Sequence, residues 1–332
     1  MITVSRNQWM DVAKGITIIL MVLGHTSIPH PISNFIYSFH MPLFFIASGW
    51  MTNWTKYTVN EFIMNKVKTL AVPFVVYSSI VIILLTQEQS IITVDFSNDI
   101  YTTSIGGGKW LFIKVLHVGW QGYALWFIPV LFISLIIVRL IHFVKRGCFR
   151  IIICIFLLAF GVFLKYFKIS LPWTLSVVPY ACFLVMLGSY LKNFQSYIDF
   201  PKVSIMLAGL VISFTISCFW RLDMAWNNII PVVQLTIGAI AGTAMMFSLS
   251  SFIVKYLHKI SKMLQYIGRE TFVIVAFSQL IIILFNAHFT CNSIIKYTIL
   301  FVSLWLIICI KNRVKILLSR YGNIIYIKFG SR

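Results

Sequence analysis

The stretch 23-LGHTSIPHPISNFIYSFHMPLFFIASG-49 is apolar almost throughout, yet it carries His25, His30 and His40. The connection, 30-HPISN-34, is short, with polar residues and prolines at 29 and 31 that interrupt a helix. The apolar residues on either side therefore read as two helices joined by a short turn. His25 lies towards the far end of the first, and His40 lies about six residues into the second. A connection this short makes the helices antiparallel neighbours, with the two imidazoles at matched depth. His30, between the prolines, is expected in the solvated connection.

The rest of the chain says what surrounds this hairpin. Of 332 residues, 60% are hydrophobic and 11% charged, and mean hydropathy is +0.92. A soluble domain carries about 25% charged residues, so lipid must be the main solvent. Apolar runs long enough to span fall near 11–29, 34–53, 69–86, 123–144, 149–167, 173–191, 203–220, 229–251, 271–288 and 293–311. The expected fold is an all-α, polytopic membrane bundle of about ten helices, forming one domain over 1–332. The segment 311-KNRVKILLSRYGNIIYIKFGSR-332 reads as a basic tail lying against anionic lipid. No small-x-small cleavage site follows the first helix, so that helix is read as retained.

The net charge of +19 has no nucleic-acid pattern behind it, because the basic residues alternate with apolar runs. With the N-terminus inside, 21 of the 27 Lys and Arg fall on inner connections and tails and six on outer ones. That bias places both termini in the cytoplasm. The connection 87–122, with 106-GGG-108 and 117-HVGWQG-122, is the longest outer one and a candidate functional loop. The six cysteines, at 148, 154, 182, 218, 291 and 309, form no CxxC pair and read as small buried hydrophobes.

Ionisable groups inside spanning segments are costly and mark function. The first helix has three: Asp11, Lys14 and His25. Asp11 and Lys14 are three apart and can pair. Lys14 and His25 are eleven apart, which at 100° per residue leaves them about 20° from alignment and roughly 16 Å apart in rise. Pro42 loosens the second helix, where Ser38 and Ser48 can satisfy freed groups. Gly24 and Gly49 allow close backbone approach. A neutral buried imidazole accepts a proton, which suits a general base acting on a hydroxyl. The cationic end, with Lys14, Arg6, Lys66 and Lys68, suits a phosphorylated donor. Neither a third metal ligand at helical spacing nor an HExxH motif accompanies the histidines, so no metal is expected.

The strings 6-RNQWMDVAKGITIILMVLGH-25 and 35-FIYSFHMPLFFIASGW-50 resemble the membrane acyltransferase-3 family, in its fucose 4-O-acetylase-like and polysaccharide O-acetyltransferase branch. Weaker matches are 66-KVKTLAVPF-74, 125-LWFIPVLF-132 and 266-YIGRETFVI-274. The resemblance implies transfer of an acyl group, usually acetyl from acetyl-CoA, to a sugar hydroxyl of a cell-surface polysaccharide or its lipid-linked precursor. The setting it implies is the bacterial cytoplasmic membrane. It makes His25 the essential histidine and Lys14 the basic residue eleven positions before it, where the family more often has Arg. Lys66 and Lys68 correspond to the family's paired basic residues. Ser278 and Gln279 stand where many members have a further histidine.

In this reading His25 is the base, and His40 orients it or donates to the oxyanion. Lys14, Arg6, Lys66 and Lys68 hold the CoA phosphates, and Asp11 sets Lys14. Trp126 either stacks on sugar or anchors at the interface. Glu270 is read as a carboxylate at a helix start. The expected partners are acetyl-CoA, a glycan acceptor and membrane lipid. The rival reading is a transporter of a lipid-linked sugar or small organic anion, for which the proline breaks at 42, 73, 129 and 179 speak. It would expect paired broken segments in two related halves, and these are not evident.

Overall fold

The computed structural model describes residues 7–26, 28–87, 124–169, 171–194, 202–288 and 293–329. Arg6, Cys291 and nearly all of the connection 87–122 lie outside these residues.

The hairpin read from the opening stretch is present. Helix α1 is Gln8–Gly24 and α2 is His30–Met51. Pro31 stands in the first turn of α2, where its missing N–H costs nothing. A capping box starts α3, Val59–Lys66: the Thr58 hydroxyl accepts from the Glu61 amide, and the Glu61 carboxylate accepts from the Thr58 amide. A π-helical turn, Val67–Ala71, leads on to α4, Val72–Gln87.

After a 3-10 turn at Ala124–Trp126 come α5, Phe127–Ile141, and α6, Gly147–Tyr166. Then follow α7, Val178–Leu191; α8, Val203–Phe219; and α9, Val232–Tyr256. The remaining helices are α10, His258–Arg269; α11, Thr271–His288; and α12, Ser293–Phe329. No strand occurs among the described residues.

Four of these units are long and apolar enough to cross a membrane: Ala124–Ile141, Gly147–Tyr166, Thr174–Leu191 and Val232–Tyr256. The pair α10–α11, bent by 76°, makes a fifth if it counts as one span. Helix α6 turns Ile152, Ile155 and Phe156 outward at 57%, 57% and 69% exposure. Large apolar side chains in such a row belong against hydrocarbon.

The structure adds two helices that the apolar runs do not announce, α3 and α10. Both are rich in polar residues and lie in connections. It also carries α12 through to Phe329, where the sequence predicts a surface tail from 311. The cysteines divide: Cys154 and Cys182 are buried, as expected, whereas Cys148 and Cys218 are exposed.

Helix α2 sits centrally, packed against α1, α7, α8 and α9. Its crossing with α7 is set by two glycines. A Cβ on Gly49 would strike the Val185 carbonyl, and one on Gly188 would strike the Ile46 carbonyl. Gly49 thus serves the α2–α7 contact, while Gly24 meets the side chains of Ile36 and Tyr37 across the hairpin. Gly15 of α1 and Gly268 of α10 interlock in the same way as the α2–α7 pair. Edge-on contacts among Trp9, Trp50 and Phe247 fasten α1, α2 and α9, with centroids 5.0–6.0 Å apart.

Candidate functional site

His25 is the C-terminal cap of α1, its amide donating to the carbonyls of Met21 and Val22. The Thr26 hydroxyl closes the end by donating to the Leu23 carbonyl at 2.6 Å. This cap turns the imidazole toward α2. There His40, 3% exposed, lies with its ring centroid 6.5 Å from that of His25 and the rings perpendicular.

The two imidazoles are held differently. His40 Nδ1 is 2.9 Å from the Ile36 carbonyl one turn earlier. A carbonyl can only accept, so Nδ1 carries the hydrogen and Nε2 the lone pair of the neutral ring. His25 Nδ1 is 2.9 Å from the Tyr37 hydroxyl. The group that orients His25 is therefore Tyr37; His40 stands beside it without a hydrogen bond to it.

Tyr37 is itself fixed from the connection between α8 and α9. The Arg221 guanidinium lies over its ring, 4.0 Å from the centroid, pairs with Asp223 at 3.7 Å and donates to Asn34 Oδ1 at 3.5 Å. Reciprocal backbone bonds between Asp223 and Asn228 close this loop. Burial holds the Asp223 carboxyl above the usual carboxylate range, while Arg221 pulls it back.

His25, Tyr37, His40 and Asp223 face one cavity of about 110 Å³, whose walls also include Trp126. Trp126 is buried at 5% exposure and forms part of the wall of the histidine cavity. Trp226, 73% exposed, stands at the rim of the same cavity. A ring presented in that way suits stacking on a sugar face.

A second cavity, of about 350 Å³, lies further along α2. Its walls include Ser48, Thr52, Lys56, Asn65, Lys66 and Leu131. Lys66 is partly buried, and loss of hydration lowers its ammonium pKa. Lys68, in the π-helical turn, is exposed and does not line this cavity.

Lys14 lines neither cavity. It pairs with Asp11 at 3.0 Å, as its spacing predicts, and Arg269 of α10 reaches the same carboxylate at 3.4 Å. Asp11, 2% exposed, joins α1 to α10 and does not line the histidine cavity. Glu270 links α11 to α12 through an ion pair with Lys311, a use of the carboxylate beyond capping. Ser278 Oγ and Gln279 Oε1 are buried without a hydrogen-bond partner among the described residues, one turn beyond Val275 of the cavity wall.

Sequence reasoning passes over Tyr37, Arg221, Asp223 and Trp226. The available signal is modest: Tyr37 stands three residues before His40, and 221-RLDMAW-226 puts opposite charges beside a tryptophan in an outer connection.

A family model described as an acyltransferase domain, that of the acyltransferase-3 family, matches residues 7–313. No curated protein and no solved structure matches the chain.

Proposed function

The chain belongs to the acyltransferase-3 family, and from that membership we propose that this membrane acyltransferase is an O-acetyltransferase. It moves acetyl from acetyl-CoA to a sugar hydroxyl of a cell-surface polysaccharide or its lipid-linked precursor. The observation that carries this reading is the meeting of His25, Tyr37 and His40 in one cavity. The proposed setting is the bacterial cytoplasmic membrane, with about ten spans and both termini inside, a topology supported by the distribution of Lys and Arg.

In the proposed step the Tyr37 oxygen accepts from His25 Nδ1–H, which leaves the lone pair on Nε2. Nε2 takes the proton of the acceptor hydroxyl as that oxygen attacks the thioester carbonyl. The C–O bond forms and the C–S bond breaks. The departing CoA thiolate then recovers the proton from the imidazolium. His40 Nε2 accepts from a second hydroxyl of the acceptor and so orders it. Of the four cations assigned to donor phosphates from the sequence, Lys66 is the one on a cavity wall among the described residues, and it keeps that role here.

The test is to incubate membranes containing the protein with labelled acetyl-CoA and extracted cell-surface glycan. Native protein should form labelled acetyl ester, and His25→Ala should not. Movement of a lipid-linked sugar without ester formation would overturn this reading in favour of a transporter.

A further inference from the structure

The connection between α8 and α9 brings a charge to the histidine cavity. Residues 222–226 form part of the cavity wall, and Asp223 is the one Asp, Glu, Lys or Arg on that wall among the described residues. Arg221 and Lys165 act on its carboxylate electrostatically, yet neither lines the cavity. The Arg221 guanidinium is also engaged over the Tyr37 ring and with Asn34 Oδ1. Of the Arg221–Asp223 pair, the cavity therefore meets the anion.

This carboxylate is held in place. The backbone amides of Ala225 and Trp226 turn toward it, and Arg221 lies 3.7 Å from Oδ2. The loop that carries it is closed by the paired backbone bonds of Asp223 and Asn228 and by the Asn227 amide, which donates to the Met224 carbonyl. The Asn228 side-chain amide donates to the Arg221 carbonyl at 2.9 Å. Leu222 and Met224, 1% and 2% exposed, anchor the loop in the bundle. A carboxylate has about four acceptor positions. The two amides and Arg221 leave one open to a ligand.

Three acceptors thus belong to one wall: the Asp223 carboxylate, the lone pair of His40 Nε2 and, in the proposed step, that of His25 Nε2. No ammonium or guanidinium stands with them among the described residues. A ligand that satisfies them must bring several neighbouring donors. A ligand with its own carboxylate or phosphate would set like charges together in a poorly hydrated space, with no cation on the wall to offset them. The apolar and aromatic part of the wall, with Phe44, Trp126 and Phe127, suits the C–H face of a ring, as does the exposed Trp226 at the rim.

We infer that the loop 221–228 selects the acceptor, with Asp223 as its specificity-determining residue, and that the ring it admits is a neutral or amino sugar with neighbouring hydroxyl or amine donors, not a uronic acid or a sugar phosphate. This rests on the transferase reading above and adds the charge class of the acceptor and the residue that enforces it. Asp223 accepts from one donor of the ring and His40 from a second. The hydroxyl left facing His25 is the one acylated. Asp223 takes no part in the bond that forms; it decides which ring enters and how that ring is turned.

The experiment needs no acyl transfer. The full chain in nanodiscs, without acetyl-CoA, is titrated with the methyl glycosides of glucose, galactose, mannose and glucosamine, and with the methyl glycosides of the matching uronic acids. Saturation-transfer NMR reads the dissociation constant of each. At least one neutral or amino glycoside should bind, at least tenfold more tightly than its uronic acid counterpart. Asp223→Asn keeps the shape and removes the charge. It should weaken the neutral glycoside and strengthen the uronic acid, so that their ratio falls at least tenfold. A loop that had merely loosened would weaken both together and leave the ratio alone. Asp223→Glu keeps the charge and should keep the preference, and Trp226→Ala, at an exposed ring, should weaken both sugars alike. A uronic acid that binds native protein as well as its neutral partner, a ratio that ignores Asp223→Asn, or no binding by any glycoside would overturn the assignment. If the preference holds and no ester forms from labelled acetyl-CoA, the sugar site stands and the transferase reading alone falls.

Discussion

The Tyr37 hydroxyl lies 2.9 Å from His25 Nδ1, and the Arg221 guanidinium covers the Tyr37 ring. An imidazole that rotates freely offers its two nitrogens interchangeably. Here the phenol engages Nδ1, and in the proposed step Nε2 is the nitrogen that meets the acceptor. Tyr37→Phe keeps the ring beneath Arg221 and removes the hydrogen bond. The expected outcome is a fall in kcat of about tenfold, the kinetic equivalent of one hydrogen bond of about 1.4 kcal/mol. Donor KM should change little. Steady-state kinetics on the purified variant check this, and a pure KM effect would remove Tyr37 from the positioning role.

Asp11 joins α1 to α10 by holding Lys14 and Arg269. Asp11→Asn leaves Lys14, whose side chain is 15% exposed, without its carboxylate. Breaking a buried pair costs about 3–5 kcal/mol, and the half-exposed Arg269 keeps much of its hydration, so the expected loss is about 2 kcal/mol. Thermal unfolding in detergent reads it as a lowered Tm. An unchanged Tm would mean that the interlocked Gly15 and Gly268 hold this contact alone.

The Glu61 carboxyl at the start of α3 is held below the usual carboxylate range by the Thr58 backbone amide, with the Thr58 hydroxyl adding to it. A carboxyl whose folded pKa is depressed supports structure above its unfolded pKa and loses that support as pH falls through the folded value. The first turn of α3 should therefore fray on acidification below the carboxylate range. The protection factors of the Glu61 and Phe62 amides, taken against the intrinsic exchange rate at each pH, should fall there and hold steady in Glu61→Gln. Protection that does not respond to acid in the native protein would show the cap to be dispensable.

Gly188 meets the Ile46 backbone so closely that no Cβ fits without a shift. Gly188→Ala should destabilise the α2–α7 crossing by about 1–3 kcal/mol, the usual range for overpacking. The readout is Tm together with the fraction of protein recovered folded. Full stability in the alanine variant would contradict the packing described here.

The hairpin is legible because its signals are local. Proline and polar residues mark the break, and the short connection fixes the depth of His25 against His40. The same is true of Asp11 and Lys14, paired by helical spacing. What the sequence does not convey is the partner from far along the chain. Arg221 reaches Asn34 across 187 positions, and no periodicity records such a meeting. Lys66 and Lys68 diverge because helical residues two apart face different ways, and one enters a cavity while the other faces outward. Polar α3 and α10 escape a search that rewards apolar runs. Conversely, α1 and α8 are each only 17 residues long, and α2 carries serines and histidines, so a test of length and apolarity passes over helices that the chain nonetheless builds into the bundle.

The central claim is that His25 transfers a proton while an acyl group moves from a donor on one side to an acceptor on the other. The most direct measurement uses oriented proteoliposomes with labelled acetyl-CoA sealed on the Lys66 side and glycan supplied only on the His25 side. Labelled ester on the glycan with native protein, reduced to background by His25→Ala in a chain that still binds CoA, is the predicted result. Equal ester with His25→Ala, or label crossing the membrane without any ester, would contradict it.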